Sequence, residues 1–111
     1  MKEYSSYLTF DNLSESQLSE ISSLTDEYNF EVDFDHKFLE FNYSGRDTSL
    51  NVIKYFYKLA TIVQNASGEL VSEIVNDDGD NEFEFYKIKN GKLFFQSGKI
   101  IRGEEELIEI D

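Results

Sequence analysis

Cysteine and proline are both absent from this chain of 111 residues. Without cysteine there is no disulfide framework, no thiolate zinc site and no cysteine nucleophile. The lack of proline is in keeping with a chain rich in helices and strands. Basic residues are scarce: 10 Lys and Arg stand against 23 Asp and Glu, a formal net charge of −13. No Lys or Arg occurs between Glu3 and His36, and none between Glu69 and Tyr86. Two such blocks on one domain project a broad negative field. That field repels nucleic acid and anionic membrane, and it attracts basic protein surfaces.

Other absences narrow the function further. No stretch approaches the roughly 18 apolar residues of a membrane span. Met1-Lys2-Glu3-Tyr4-Ser5 has neither the basic segment nor the apolar run of a signal peptide, so a cytoplasmic protein is expected. None of G-x-x-x-x-G-K-[ST], G-x-G-x-x-G and G-x-S-x-G occurs, which leaves phosphate loops and the nucleophile elbow without support. Close carboxylate pairs arise here by density alone and single out no acid–base couple. The expectation is a protein that is not an enzyme and takes no cofactor or metal.

What is present is apolar bulk: 40% hydrophobic residues, with 10 Phe and 7 Tyr. That is too much for a disordered acidic tail. One domain spanning residues 1–111 is expected, carrying a single core.

Lys2 to Asp11 alternate as a first strand, with Tyr4, Leu8 and Phe10 on one parity and Tyr7 and Thr9 on the other. Ser14 followed by Gln17 is a capping box, and Leu13 with Leu18 makes a hydrophobic staple, so a helix is predicted over Glu15 to Tyr28. Phe30, Val32 and Phe34 then alternate with Glu31, Asp33 and Asp35. A turn at Asp35-His36-Lys37 leads to a partner strand with Leu39, Phe41 and Tyr43 inward, giving a hairpin.

A second helix is predicted from about Leu50 to Ala66, capped by Asp47, Thr48 or Ser49. Its apolar face holds Val52, Ile53, Phe56, Leu59, Ala60 and Val63, and Gly68 serves as its C-terminal cap. Strands follow at Glu69–Asn76, Glu82–Lys89 and Lys92–Gln96, the last two joined by Asn90-Gly91, a strong type I′ hairpin signal. Lys99 to Arg102 can add a short strand, and Glu104 to Asp111 reads as a last strand, a helical turn or a frayed end.

The order strand, helix, strand, strand, helix, strand is the split βαβ, or ferredoxin-like, plan. Fold class is therefore α+β, with a C-terminal meander and both helices on one face of an antiparallel sheet. The other face, with Tyr7, Glu31, Asp33, Asp35, Phe38 and Glu40, is left open, and acid mixed with exposed aromatic is the make-up of a binding surface.

This order, with Gly68-Glu69-Leu70, Asp77-Asp78-Gly79-Asp80 and Asn90-Gly91-Lys92-Leu93, resembles small bacterial and phage-borne ferredoxin-like proteins. Some of those are toxin-immunity or anti-defence proteins. The resemblance covers the C-terminal half, rests on turn residues, and carries over no site residue.

Three local features invite chemistry. His36 beside Asp33 and Asp35 is the material of a general base, but no nucleophile accompanies it, and a solvent-facing turn residue is the expectation. The run Asn76 to Glu82 suggests calcium. With Gly79 in the sixth position of an EF-hand loop, however, Ile74 and Phe85 would fill the first and twelfth, so a solvated hairpin loop is expected. Lys87, Lys89, Lys92, Lys99 and Arg102 form the one basic cluster. It is expected to protect strand edges or balance the acidic tail.

The functional expectation is an acidic binding protein that blocks a basic, nucleic-acid-handling partner: an immunity protein for a nuclease toxin, or an anti-defence inhibitor of the anti-CRISPR kind. Alternate strand residues stand about 6.6–6.8 Å apart. A row of Glu31, Asp33 and Asp35 would thus present charge on the scale of nucleic-acid phosphates, which advance about 3.4 Å per step of each strand. The expected partner-binding residues are Glu31, Asp33, Asp35, Phe38, Glu40, Asp77, Asp78, Asp80, Glu82, Glu84, Tyr86 and Phe94. The alternative is a homodimeric structural or adaptor module, closed through the open sheet face or the C-terminal strands. No direct contact with nucleic acid or membrane is expected.

Overall fold

The computed structural model describes residues 2–46, 50–74, 82–98 and 106–108. In chain order these form β1 (Lys2–Thr9), α1 (Glu15–Tyr28), β2 (Val32–Phe34), β3 (Phe38–Gly45), α2 (Asn51–Val63), β4 (Leu70–Ile74), β5 (Glu82–Lys89), β6 (Lys92–Gly98) and β7 (Glu106–Ile108). The seven strands make one sheet in the order β2-β3-β1-β4-β5-β6-β7, with every neighbouring pair antiparallel. Among the described residues no helix is long and apolar enough to cross a membrane.

Local chemistry explains the element boundaries. At the start of α1 the Ser14 backbone N–H donates to Gln17 Oε1 (2.9 Å) and the Gln17 N–H donates to Ser14 Oγ (3.1 Å), a closed capping box. The helix ends on Asn29 in the left-handed region, where its N–H reaches back to the carbonyls of Thr25 and Asp26. The Asn90-Gly91 turn has positive φ at both residues, as type I′ demands. This turn is pinned to the end of α2: the Gly91 N–H donates to the Gln64 carbonyl, and the Asn90 N–H to Asn65 Oδ1.

Two expectations around α2 change. Its N-cap is Leu50, in the left-handed region and without a side-chain cap, while Asp47, Thr48 and Ser49 lie outside the described residues. Gly68 does not cap the helix, which already stops at Val63 with Gln64 at its C-cap. Gly68 instead sits beside the Thr9–Ser67 bridge, at φ +100°, where a Cβ would lie 2.3 Å from the Tyr7 carbonyl oxygen. The close approach of β1 makes glycine necessary there.

One parity of each long strand is buried. Tyr4, Ser6 and Leu8 of β1, Leu39 and Phe41 of β3, Leu70 and Ser72 of β4, Tyr86 and Ile88 of β5 and Leu93 of β6 all turn to the helices. They meet Ile21 and Leu24 of α1 and Val52, Ile53, Tyr55, Phe56, Leu59, Ala60 and Val63 of α2 in one core. Both helices therefore cover the same face of the sheet.

Phe41 contacts Phe56 edge-on at 5.2 Å and stacks on Tyr55 at 5.9 Å, and Phe30 meets Phe41 and Tyr55 edge-on at 5.3 Å each. Ring pairs of this kind add about 0.5–1.5 kcal/mol beyond the area they bury. The Thr25 hydroxyl, 2.8 Å from the Tyr55 hydroxyl, gives that buried phenol a polar partner across the two helices. Burial raises the Tyr55 pKa above its ordinary value, and the bond to Thr25 opposes part of that rise.

Of the C-terminal residues, Glu106–Ile108 form a strand. Ile108 lies opposite Leu93 and Leu107 opposite Phe94, so this segment extends the sheet edge instead of folding over its open face. Lys99 to Arg102, expected as a further strand, lie outside the described residues.

Candidate functional site

The sheet face away from the helices carries the other parity. Antiparallel register places Asp33 opposite Glu40, Glu40 opposite Tyr7, Glu3 opposite Glu73, and Glu73 opposite Phe83. Farther along lie Val71 opposite Phe85, Lys87 opposite Phe94, Phe94 opposite Leu107, and Lys89 opposite Lys92. Charge is thus sorted across one face: carboxylates on β2, β3, β1 and β4, lysines on β5 and β6. Tyr7 stacks on Phe38 at 5.8 Å, and Lys89 Nζ stands 5.6 Å over the Phe94 ring. Tyr7 is 55% exposed, Phe83 38% and Leu107 39%.

Two adjoining depressions cross the acidic half. One, of about 520 Å³, is lined by Glu3, Ser5, Ser44, Val71, Glu73 and Phe83, among others. The other, of about 350 Å³, takes in Tyr7, Glu40 and Glu69. Ser5, Asn42 and Val71 line both, so the two form one groove along β1. The Ser6 hydroxyl, from the buried side of β1, donates to the Glu69 carbonyl at 2.9 Å and holds the start of β4 against it. Two like-charge pairs, Asp33–Glu40 and Glu3–Glu73, stand directly opposite each other, and like charges so placed, as in Asp33–Glu40, cost stability in a sheet. The groove combines small floor residues, carboxylate rims and aromatic walls, which suits cationic side chains.

No family model matches this chain, and neither a curated protein nor a solved structure matches it. Among the described residues no three His, Asp or Glu side chains are grouped to hold a metal ion.

The residues expected to bind a partner divide between the two faces. Asp33, Phe38, Glu40 and Phe94 belong to the open face. Glu31 is exposed but precedes β2. Asp35 is turned into its own hairpin, where its Oδ1 accepts the backbone N–H of Lys37 (2.7 Å) and Phe38 (3.1 Å). The row of three carboxylates therefore does not form: a three-residue strand supplies only Asp33, and Asx-turn geometry consumes Asp35.

Glu84 and Tyr86 are corrected more sharply, because their parity in β5 is that of the helix-covered face; Glu82 shares that parity but is exposed at the start of the strand. Tyr86 is 7% exposed and packs against Phe95 in the core, and Glu84 pairs with Lys2 at 3.6 Å. Burial foremost, and next the charge of Glu84, push the Tyr86 phenol well above its ordinary pKa. Asp77, Asp78 and Asp80 lie outside the described residues.

His36 is not a plain turn residue. Its Nδ1–H donates to the Leu13 carbonyl at 2.7 Å and its Nε2 lies 3.3 Å from Glu15 Oε1. The side chain ties the β2–β3 hairpin to the start of α1, and its contacts are not Asp33 or Asp35. Glu3, Val71, Glu73 and Phe83 are the groove residues that sequence patterning missed. Their signal was parity: Glu3 shares the parity of Tyr7, and Phe83 that of the outward Phe85.

Proposed function

We propose that this protein is a non-enzymatic acidic binding protein that neutralises a basic, nucleic-acid-handling protein, as a toxin immunity protein or an anti-defence inhibitor of the anti-CRISPR kind. The observation that carries this reading is the open sheet face with its directly opposed carboxylates of Asp33 and Glu40. Natural sheets avoid such pairs unless something compensates. A cationic partner surface compensates for them. The net charge of −13 would steer that partner from a distance and speed association, and salt would slow it. Competition is the simplest mode of inhibition, since carboxylates seated on a cationic surface leave no room for phosphates.

The strand order, in which β1 lies between β3 and β4 with β2 outside β3, supports a ferredoxin-like plan extended by the β5–β7 meander. That kinship is part of the proposal. A second reading, a homodimeric module, draws on the exposed Phe83 and Leu107. It competes with the charge of the face, because a second copy brings the same carboxylates with it. Mass in solution separates the two readings.

The test is to capture the partner from the native host and follow its association at about 50 mM and about 500 mM salt, across which the Debye length shrinks several-fold. A basic partner whose association rate falls at least about tenfold supports the reading. An uncharged or acidic partner, or a rate unchanged by salt, overturns it.

A further inference from the structure

We propose that one ordered water molecule is built into the helix-covered side of the sheet, where it bridges the Ser72 hydroxyl, the Glu84 carboxylate and the Lys2 ammonium. Register sets three polar side chains in one row there: Tyr4 of β1 lies opposite Ser72 of β4, and Ser72 opposite Glu84 of β5. Ser72 is fully buried, at 0% exposure, yet among the described residues its Oγ has no hydrogen-bond partner. Glu84 Oε1 is buried as well and accepts no hydrogen bond from them. Its cation, Lys2 Nζ, stands 3.6 Å away, beyond the roughly 2.7–2.9 Å of a direct charge-assisted bond. A hydroxyl and a carboxylate oxygen left in that condition each bear the full cost of leaving bulk water.

The geometry suits a single small molecule. Side chains directly opposite each other in an antiparallel pair have Cβ atoms about 4.5–5.5 Å apart. The serine oxygen is one bond from its Cβ and the glutamate oxygens are three, so one oxygen atom between them reaches both. Chemistry then selects water. The position needs a donor toward Glu84 Oε1 and an acceptor for Lys2 Nζ, while the Ser72 hydroxyl serves in either sense. Water supplies both from one atom, and three such bonds are typical of a buried water. A polar contact longer than about 3.5 Å, as between Lys2 and Glu84, is the spacing a bridging water fills. The Lys2 ammonium disfavours a metal cation at this place, and the Glu84 carboxylate disfavours an anion.

Such a water joins β1, β4 and β5, the three central strands of the sheet, from behind its open face. Its role is to complete the fold, and it is independent of what the open face binds. It also accounts for a serine and a glutamate on a side of the sheet otherwise given to Leu8, Leu70, Ile88 and Leu93.

The test pairs high-resolution crystal structures of the full-length protein and its Ser72→Val variant with urea denaturation of the protein and Ser72→Ala. The expected structure shows one well-ordered water within about 2.7–3.2 Å of both Ser72 Oγ and Glu84 Oε1. In Ser72→Val the added methyl should displace it. Ser72→Ala changes the site by one oxygen, so the fold should survive, but the water loses a partner and the urea midpoint should fall. The proposal is overturned if Ser72 and Glu84 bond each other directly with no water between them, or if an ion occupies the position. A midpoint that Ser72→Ala leaves unchanged or raises also overturns it, because a dry, unbonded hydroxyl is removed without loss.

Discussion

Asp33 on β2 stands directly opposite Glu40 on β3, two carboxylates in cross-strand register on the open face of the sheet. Neither approaches the helix-side core, so their juxtaposition contributes nothing to packing. Asp33→Asn or Glu40→Gln should therefore stabilise the free protein by about 0.5 kcal/mol, the scale of cross-strand pair effects. The gain should be larger at low salt and shrink as the Debye length falls. Urea midpoints at two salt concentrations measure this, and the same variants should bind the partner more weakly. A loss of stability on neutralisation would mean the pair is held for the fold.

Tyr86 and Phe94 should behave differently although both are aromatic and lie on paired strands. Tyr86→Ala removes a core ring and should cost about 3 kcal/mol of stability. Phe94→Ala, on the open face opposite Leu107, should cost much less than that in the free protein. Chemical denaturation of both variants decides it. Equal losses would place Phe94 in a core of its own.

Alkaline pH should weaken the fold. Burial raises both Tyr55 and Tyr86 above the ordinary value of 10.0, so the folded state holds these protons more tightly than the unfolded chain. Stability from this source is complete below pH 10 and is lost as the pH rises above it, because the unfolded chain then releases protons that the folded one keeps. A urea midpoint that declines as the pH rises above about 10 is expected, with a shallower decline for Tyr86→Phe. An identical slope in Tyr86→Phe would remove Tyr86 as a cause.

His36→Ala should lower stability by about 1 kcal/mol, since it breaks the bond to the Leu13 carbonyl that joins the hairpin to α1. It should leave partner binding unchanged, because His36 is not on the open face. Thermal unfolding and a binding measurement on the same preparation test both halves. A variant of native stability that no longer binds would bring His36 back as a functional residue.

Gly68→Ala should cost about 1–3 kcal/mol, from a positive φ and a Cβ forced against the Tyr7 carbonyl. Because Tyr7 walls the groove, this variant should also shift the amides around it. An unperturbed spectrum at Ser5 and Glu40 would mean that the strand yields without moving the groove.

Local chemistry was legible in the sequence where a few neighbouring residues suffice. The capping box at Ser14 and Gln17 sets the start of α1, and Asn90-Gly91 sets its hairpin, because each depends on backbone angles and hydrogen bonds within four residues. The apolar faces of α1 and α2 and the alternation of β1 and β3 followed from periodicity alone. Which parity of β5 would meet the helices did not, since Phe83 and Phe85 on one side and Tyr86 and Ile88 on the other are equally apolar. Only the pairing of Leu70 with Tyr86, in turn fixed to Ser6 on β1, put Tyr86 inside and Phe83 on the surface. Gly68 was readable as a special position, but its reason, the Tyr7 carbonyl, comes from a strand some sixty residues earlier in the chain. The groove has the same origin. Glu3 and Glu73, like Tyr7 and Glu40, are distant in sequence, and cross-strand register alone makes each pair neighbours.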